Sequence, residues 1–186
     1  QYVIRQSATQ GADFILLNPL HALFPDCPEH SSPYSPNDRL SLNPLYIDVL
    51  SCDDFNHSEQ AQALFQSEEF QEKLKSEKAQ TYINYKVIFE LKLALFKLMY
   101  RQFQQLQVQE PTSGKVQQFS HYCQTSPRVS DFVAWQQANV KCDAIYQDEY
   151  FSYYLQWLAT LQFSQCQQLA KDLGMKIGLV CDLAVG

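Results

Sequence analysis

Length, composition and charge place this chain among folded globular proteins and exclude several functions. It has 186 residues, of which 46% are hydrophobic and 13% aromatic, which is enough for one domain with a real core. Its net charge is −6, and its 14 lysines and arginines are scattered along the chain. This argues against an electrostatic grip on nucleic acid or on an anionic membrane surface.

The ends and the cysteines of the chain indicate a cytoplasmic protein. No apolar run approaches the roughly 20 residues of a membrane span, and the first ten residues lack the basic start and apolar middle of a signal peptide. The six cysteines include no C-x-x-C pair, so we expect reduced thiols, with no bound metal and no cofactor. The chain begins without Met and stops directly after an apolar run, which predicts truncation at both ends.

Two short apolar runs, each after a helix that ends in glycine, predict two parallel strands. Residues 1–9 have the pattern of the end of a helix, which Gly11 stops in a left-handed turn. The run at 13–17 follows, and a similar run at 176–185 comes after Gly174. Such runs are typical of strands buried on both faces, although a short buried helix has the same pattern. A helix before each strand favours parallel pairing.

Between residues 56 and 173, hydrophobic periodicity predicts helices. The clearest pattern is at 84–107, where apolar residues at three and four spacing predict a long helix with a broad buried stripe. Residues 148–173 predict a second long helix, with acidic residues in its first turn as the helix dipole favours. We interpret its apolar stripe as helix packing, with a core face of Phe151, Tyr154, Leu155, Leu158, Leu161 and Leu169. Shorter helices are predicted at 58–79, at 115–124 and after a break at Pro127, where Ser130 or Asp131 is the expected N-cap.

The two predicted strands are thus separated by a helical insertion of roughly a hundred residues, far more than the usual connection of about 2 to 6 residues. Insertions of this size after a strand usually act at the carboxyl end of that strand.

Three motifs carry a resemblance to a known family. They are N-P-L-H-A-L-x-P at 18–25, S-P-Y-S-P at 32–36 and D-L-A-V-G at 182–186. With their flanking residues they resemble the bacterial 4-alpha-glucanotransferases, also called amylomaltases or disproportionating enzymes. The resemblance covers both ends and most of the chain between them, and is weakest at 105–145. It identifies the chain as similar to an internal fragment of such an enzyme.

The resemblance implies an α/β fold: a fragment of a TIM (β/α)8 barrel with two adjacent parallel strands and a large all-α insertion, predominantly helical by residue count. Residues 13–18 would be the second barrel strand and 176–182 the third. The implied organisation has three segments. They are 1–55, with the end of a barrel helix, the second strand and the active-site loop; 56–147, the helical insertion; and 148–186, a barrel helix and the third strand.

The loop at 18–49 contains the first candidate binding residue. In barrel enzymes the site lies at the carboxyl ends of the strands, where this loop begins. Pro33 and Pro36 fix the backbone on both sides of Tyr34, so its ring has little conformational entropy left to lose on binding. A sugar could stack on the ring, with its hydroxyls bonded by the phenol, Ser32 and backbone amides. The resemblance places the tyrosine of S-P-Y beside the sugar at the cleavage point; the alternative is that Tyr34 only packs the loop against the barrel.

Asp182, at the end of the second predicted strand, is the other candidate. The resemblance implies that this aspartate bonds sugar hydroxyls; the alternative is an ion pair with an arginine of another strand. Asn18 and His21 are expected to support the loop. For His21 we expect a hydrogen-bonded structural role rather than that of a proton shuttle. Our central expectation is that Tyr34 and Asp182 lie side by side because parallel strands deliver both to one rim. Loop-anchoring roles are preferred for Arg39, Asn43 and Asp48.

The chemistry implied by the resemblance is retaining transfer of α-1,4-glucan segments between maltodextrins, which requires two carboxyl groups about 5 to 5.5 Å apart. The resemblance places these groups on later strands, so we expect no catalytic residue in this chain and no activity of the chain alone. The expected partners are α-1,4-glucans and the rest of the parent barrel. One alternative is a non-catalytic module that binds maltodextrin or starch. Another is a helical interaction domain, suggested by the glutamine-rich stretches at 102–109 and 162–168.

Overall fold

The computed structural model describes residues 1–185 and shows a mostly helical α/β protein. Gly186, the last residue of the D-L-A-V-G motif, lies outside the described residues. In chain order the elements are α1 (Tyr2–Thr9), β1 (Phe14–Leu17), β2 (His21–Ala22), β3 (Asp38–Leu42), α2 (Asp53–His57), α3 (Glu59–Gln66), α4 (Glu68–Lys78), α5 (Tyr85–Gln109), α6 (Gly114–Thr125), α7 (Pro127–Asn139), α8 (Glu149–Asp172) and β4 (Gly178–Cys181).

The two predicted parallel strands are confirmed. Strands β1 and β4 form a two-stranded parallel sheet with Phe14 opposite Gly178 and Leu17 opposite Cys181. Helix α1 ends before Gly11 (φ 80°) and helix α8 before Gly174 (φ 87°), the left-handed turns that the two glycines predicted.

The prediction that these strands are buried on both faces is wrong for residues 1–185. On one face, Ile15 and Leu179 pack against a small core of Ile4, Ala170 and Met175. The opposite face is open, since Phe14 is 50% exposed and Leu16 is 66% exposed. Helices α1 and α8 cover one side of the sheet, and no described element covers the other.

The helices between the strands share a large aromatic core. Phe103 of α5 is fully buried, and its ring centroid lies 5.0 Å from that of Phe119 of α6 and 5.3 Å from that of Tyr154 of α8. Trp157, one turn after Tyr154, is 5.7 Å from Phe103. Most of the predicted helical stripes therefore pack against other helices.

Two details of the helix prediction are wrong. Helix α7 begins at Pro127 with Ser126 as its N-cap, so neither Ser130 nor Asp131 caps it; proline suits the first helical position because the N–H it lacks would have no helical partner there. Leu161 is 37% exposed and does not belong to the core. Residues 151–159 of α8 are buried on all sides of the helix, so its core cannot be described as one face.

A short antiparallel ribbon, which the sequence did not predict, organises the long loop after β1. In it β2 pairs with β3, with His21 opposite Leu42 and a bulge next to Ala22. The amide of Asn37 donates to the carbonyl of Ala22 at 2.8 Å. The loop at 23–37 is thus closed at its base, which limits the movement of the residues it carries.

No helix within residues 1–185 combines the length and the apolarity that crossing a bilayer requires.

Candidate functional site

The carboxyl ends of β1 and β4 meet at one edge of the parallel sheet. The amide of Asp182 donates to the carbonyl of Leu17 at 3.1 Å, which extends the parallel pairing one residue past β4. The side chain of Asp182 therefore starts at the rim of the sheet, where it is half-buried.

Tyr34 lies in a tight turn that brings it to the same rim. The amide of Ser35 donates to the carbonyl of Ser32 at 3.1 Å, so Pro33 and Tyr34 occupy the two middle positions of the turn. The fixed φ of proline suits the first of these positions. The ring of Tyr34 remains 51% exposed, which leaves apolar surface available for stacking.

The structure brings Tyr34 and Asp182 into contact. The Tyr34 hydroxyl donates to Oδ2 of Asp182 at 3.3 Å, across 148 positions of sequence. An ionised carboxylate has about four acceptor sites, and this hydrogen bond uses one of them. The ion pairs formed within residues 1–185 do not include Asp182. The arrangement is a rigid aromatic ring beside an acidic hydrogen-bond acceptor.

His21 and Arg39 hold the segment after β4 against the loop. The amide of Ala184 donates to Nε2 of His21 at 3.2 Å, and Nε of Arg39 donates to the carbonyl of Ala184 at 2.7 Å. Ala184 is fully buried. Because His21 lies on β2 and Arg39 on β3, the ribbon grips both backbone groups of a residue two positions past Asp182. The position of Asp182 is thereby tied to the loop that carries Tyr34.

The side chains of the other two predicted site residues, Asn18 and Ser32, form no hydrogen bonds within the described part of the chain. Asn18 follows β1 directly. Ser32 is the first residue of the turn of Tyr34, and its carbonyl accepts the hydrogen bond that closes the turn. Both residues are exposed. Both side chains lie on the loop and are accessible.

The end of the loop is fixed by its own Asn43 and by a lysine of the helical insertion. Oδ1 of Asn43 accepts from the amide of Leu45 at 3.0 Å, and Nζ of Lys92 on α5 donates to the carbonyls of Leu45 and Ile47 at 2.6 and 2.7 Å. Burial lowers the pKa of Lys92, although the charge of Asp48 opposes this shift. We did not predict this contact from sequence; the signal for it is a lysine close to the apolar stripe of α5.

Asp26 makes a further unpredicted contact between the loop and the insertion. Its carboxylate accepts from the backbone amides of Lys141 and Cys142 at 2.7 to 3.0 Å. Partial burial raises the pKa of Asp26, but the hydrogen bonds from Cys142 and Lys141 outweigh it, so the net pKa is lowered. The loop is thus held by the sheet, by α5 and by the segment after α7.

The most buried carboxylate, that of Asp54, forms contacts typical of a structural residue. Asp54 is 2% exposed, and its oxygens accept from Nζ of Lys115 at 2.6 Å and from the Tyr154 hydroxyl at 2.8 Å. Its charge also contributes, after burial, to the raised pKa of Tyr154. Among residues 1–185 no group of three or more acidic, histidine or cysteine side chains could hold a metal ion.

Comparisons with known proteins agree on one family. The family model described as 4-alpha-glucanotransferase matches residues 1–186. A 4-alpha-glucanotransferase from Haemophilus influenzae is 30% identical over 218 residues, which covers 99% of this chain and 31% of that protein. The crystal structure of amylomaltase from Corynebacterium glutamicum matches 99% of this chain and 27% of its own, at 27% identity and a TM-score of 0.77.

These matches do not favour the alternative of a non-catalytic binding module, and they leave the chain at about a third of the length of the curated relative. The mostly helical α/β fold, the parallel strand pair and the match over the full length of the chain lead to one conclusion. The chain belongs to the 4-alpha-glucanotransferase family.

Proposed function

We propose that this chain supplies part of the sugar-binding site of a retaining 4-alpha-glucanotransferase, which transfers α-1,4-glucan segments between maltodextrins. The observation that carries the proposal is the 3.3 Å hydrogen bond between Tyr34 and Asp182 at the carboxyl ends of two parallel strands. In barrel enzymes this is the end at which substrates bind.

In the proposed complex, the two residues have complementary roles. The ring of Tyr34 stacks on the apolar CH face of a glucose unit, and the carboxylate of Asp182 accepts hydrogen bonds from its hydroxyls. A half-buried carboxylate is costly without donors, and a bound sugar supplies them. Ser32 offers a further hydroxyl beside the ring, while His21 and Asn18 support the loop.

We also propose the organisation of the chain. Strands β1 and β4 are the second and third strands of a (β/α)8 barrel, within segments 1–55 and 148–186, and residues 56–147 are the insertion. The open face at Phe14 and Leu16 supports this proposal, because the interior of a barrel is filled by side chains from several strands. The remaining strands would be the partner of that face.

The same proposal assigns no catalytic residue to this chain. Retaining transfer requires a nucleophile and an acid/base carboxyl about 5 to 5.5 Å apart. Family resemblance assigns these groups to strands outside the 186 residues, and the buried carboxylate of Asp54 is neutralised by Lys115. We therefore expect that the chain alone, given maltotriose, releases no glucose and forms no maltodextrin longer than maltotriose. Turnover of maltotriose at a rate comparable with that of a full-length relative would contradict this assignment.

The binding proposal is tested by titrating maltoheptaose into the chain and into variants, with calorimetry or NMR as the measurement. We expect Tyr34→Ala and Asp182→Asn each to weaken binding about tenfold, as the loss of one stacking or charged contact should. Tyr34→Phe keeps the ring and should lose less than Tyr34→Ala. The matched control is Tyr82→Ala, which removes a tyrosine that is 86% exposed on the insertion and should leave affinity unchanged. Equal affinity of Tyr34→Ala, Asp182→Asn and the unmodified chain would refute the proposed site.

A further inference from the structure

Helix α8 contains a buried glutamine that takes the place of a neighbouring strand. Gln156 is 2% exposed. Its Oε1 accepts from the amide of Leu42 at 2.9 Å, and its Nε2 donates to the carbonyl of the same residue at 2.7 Å. A carboxamide carries the same donor and acceptor as a peptide group. Gln156 therefore satisfies the end of β3 on the edge that β2 does not occupy.

A second glutamine of α8 does the same for β4. Oε1 of Gln167 accepts from the amide of Leu179 at 2.6 Å, and its Nε2 donates to the carbonyl of Ile177 at 3.2 Å. The amide of Gly178 instead donates towards β1, to Asp13, so Gln167 binds the edge of β4 that faces away from β1. A Cβ on Gly178 would lie 2.7 Å from Oε1 of Gln167. The glycine therefore allows the side-chain amide to approach the strand this closely.

The two glutamines lie on the same side of one helix. They are eleven residues apart, which is about three turns and about 16 Å along the axis of an α-helix. Leu42, held by Gln156, ends the strand that leads back to the turn of Tyr34. Leu179, held by Gln167, lies three residues before Asp182. Between them, Gln162 binds both backbone groups of Asp48 at 2.8 and 2.9 Å.

We propose that Gln156 and Gln167 are positioning residues of the glucan site, which fix the distance between Tyr34 and Asp182 by binding the backbone of both site-bearing segments to one helix. The proposal rests on the proposed function for its consequence in glucan binding, but not for its geometry. It also gives the glutamine-rich stretch at 162–168 an intramolecular role, because Gln162 and Gln167 bind the backbone of this chain.

The experiment places 3-fluorotyrosine at position 34 and records its ¹⁹F resonance in the folded chain. Asp182→Asn defines the resonance of a ring that has lost its carboxylate partner. The test variants are Gln156→Met and Gln167→Met, which keep side-chain length and helix propensity but remove both hydrogen-bonding groups. The control is Gln168→Met on the same helix, whose amide bonds only Asp172 of that helix. Circular dichroism confirms folding, and maltoheptaose affinity is measured for each variant.

We expect both test variants to move the Tyr34 resonance towards that of Asp182→Asn and to weaken maltoheptaose binding about tenfold. Gln168→Met should change neither. Folded test variants with an unmoved resonance would overturn the proposal, because a purely structural role changes stability without moving Tyr34. If the buried Gln156→Met variant does not fold, the more exposed Gln167→Met decides in the same way. A shifted resonance with unchanged maltoheptaose affinity supports the positioning role and refutes the proposed roles of Tyr34 and Asp182 in sugar binding.

Discussion

The helical insertion and the parallel sheet are stabilised by different means. Together with the flanking helices α2 and α8, the insertion has one continuous core that is rich in aromatic rings. The sheet packs one face on Ile4, Ala170 and Met175 and leaves Leu16 66% exposed on the other. Hydrophobic burial scales with the apolar area removed from water, so most of the stabilisation of this chain comes from the insertion.

The candidate site lies where these two regions meet, and it depends mainly on hydrogen bonds. Lys92 and Gln156 bind backbone groups of the loop, and Asp26 of the loop binds the backbone of the insertion. Hydrogen bonds of this kind add little net stability but fix geometry, and they are costly to leave half-made when buried. The insertion thus supplies stability, while polar side chains at its border set the position of the binding residues.

The largest expected effect comes from the aromatic core. Phe103→Ala removes a fully buried ring that contacts Phe119 and Tyr154, and should lower the free energy of unfolding by about 3–5 kcal/mol. Leu16→Ala on the open face of the sheet should lower it by less than about 1 kcal/mol. Urea denaturation of the two variants measures both changes. Similar losses would mean that the two regions do not differ as described.

The next effect concerns the buried ion pair between Asp54 of α2 and Lys115 of the insertion. Lys115→Met leaves Asp54 buried without its cation and should cost about 3 kcal/mol of unfolding free energy. Its control is Lys73→Met, which breaks an exposed pair with Glu69 on α4 and should produce no measurable change. Thermal and urea unfolding provide the measurement. A Lys115→Met variant as stable as the unmodified chain would show that this pair does not support the core.

A smaller effect is expected at the start of β4. Gly178 has φ +87°, and Gln167 would be 2.7 Å from an added Cβ, so Gly178→Ala should cost about 1–2 kcal/mol from the backbone alone. Gly114, at the start of α6, has open space around a Cβ and no positive φ. Gly114→Ala should therefore stabilise the chain by about 0.4–1 kcal/mol. An equal loss of stability in both variants would indicate that the left-handed backbone of Gly178 is not the cause.

The smallest effect is a pH dependence at the border of the two regions. Although burial opposes the shift, hydrogen bonds from Cys142 and Lys141 lower the pKa of Asp26 below its ordinary value. The stabilisation is therefore complete above the ordinary aspartate pKa and is lost as the pH falls below that value and through the lowered pKa. Asp26→Asn should flatten the stability curve over this range, whereas Glu72→Gln on α4 should not. Curves of equal slope for the two variants would contradict this role of Asp26.

Part of the fold follows from local patterns. Gly11 and Gly174 marked helix ends, and the periodicity of α5 predicted its length within two residues at each end. The ribbon of β2 and β3 was missed because β2 has only two residues and the pairing is interrupted by a bulge. The N-cap of α7 was placed too late because Pro127 was interpreted as a break, although proline is a signal for the first helical position.

The candidate site was partly predictable. Tyr34 was recognised because two prolines frame it in a motif that resembles the family, and Asp182 because it begins another such motif at the end of an apolar strand. Of the residues that hold them, His21 and Arg39 were expected to support or anchor the loop, but the glutamines of α8 were not recognised. A glutamine on a helix has the same local pattern whether it is solvated or bound to a strand, and only the packing of α8 on β3 and β4 distinguishes Gln156 from Gln168.

The sequence by itself determined the helices, the two parallel strands and the turn of Tyr34, because periodicity, glycine and proline act over a few residues. Tertiary structure alone decided which strand face is covered and which backbone groups α8 binds. It also decided that the Tyr34 hydroxyl reaches Asp182 at 3.3 Å. The Tyr34–Asp182 and Gln156–Leu42 contacts join segments more than a hundred residues apart, and such contacts leave no periodic signal in either segment.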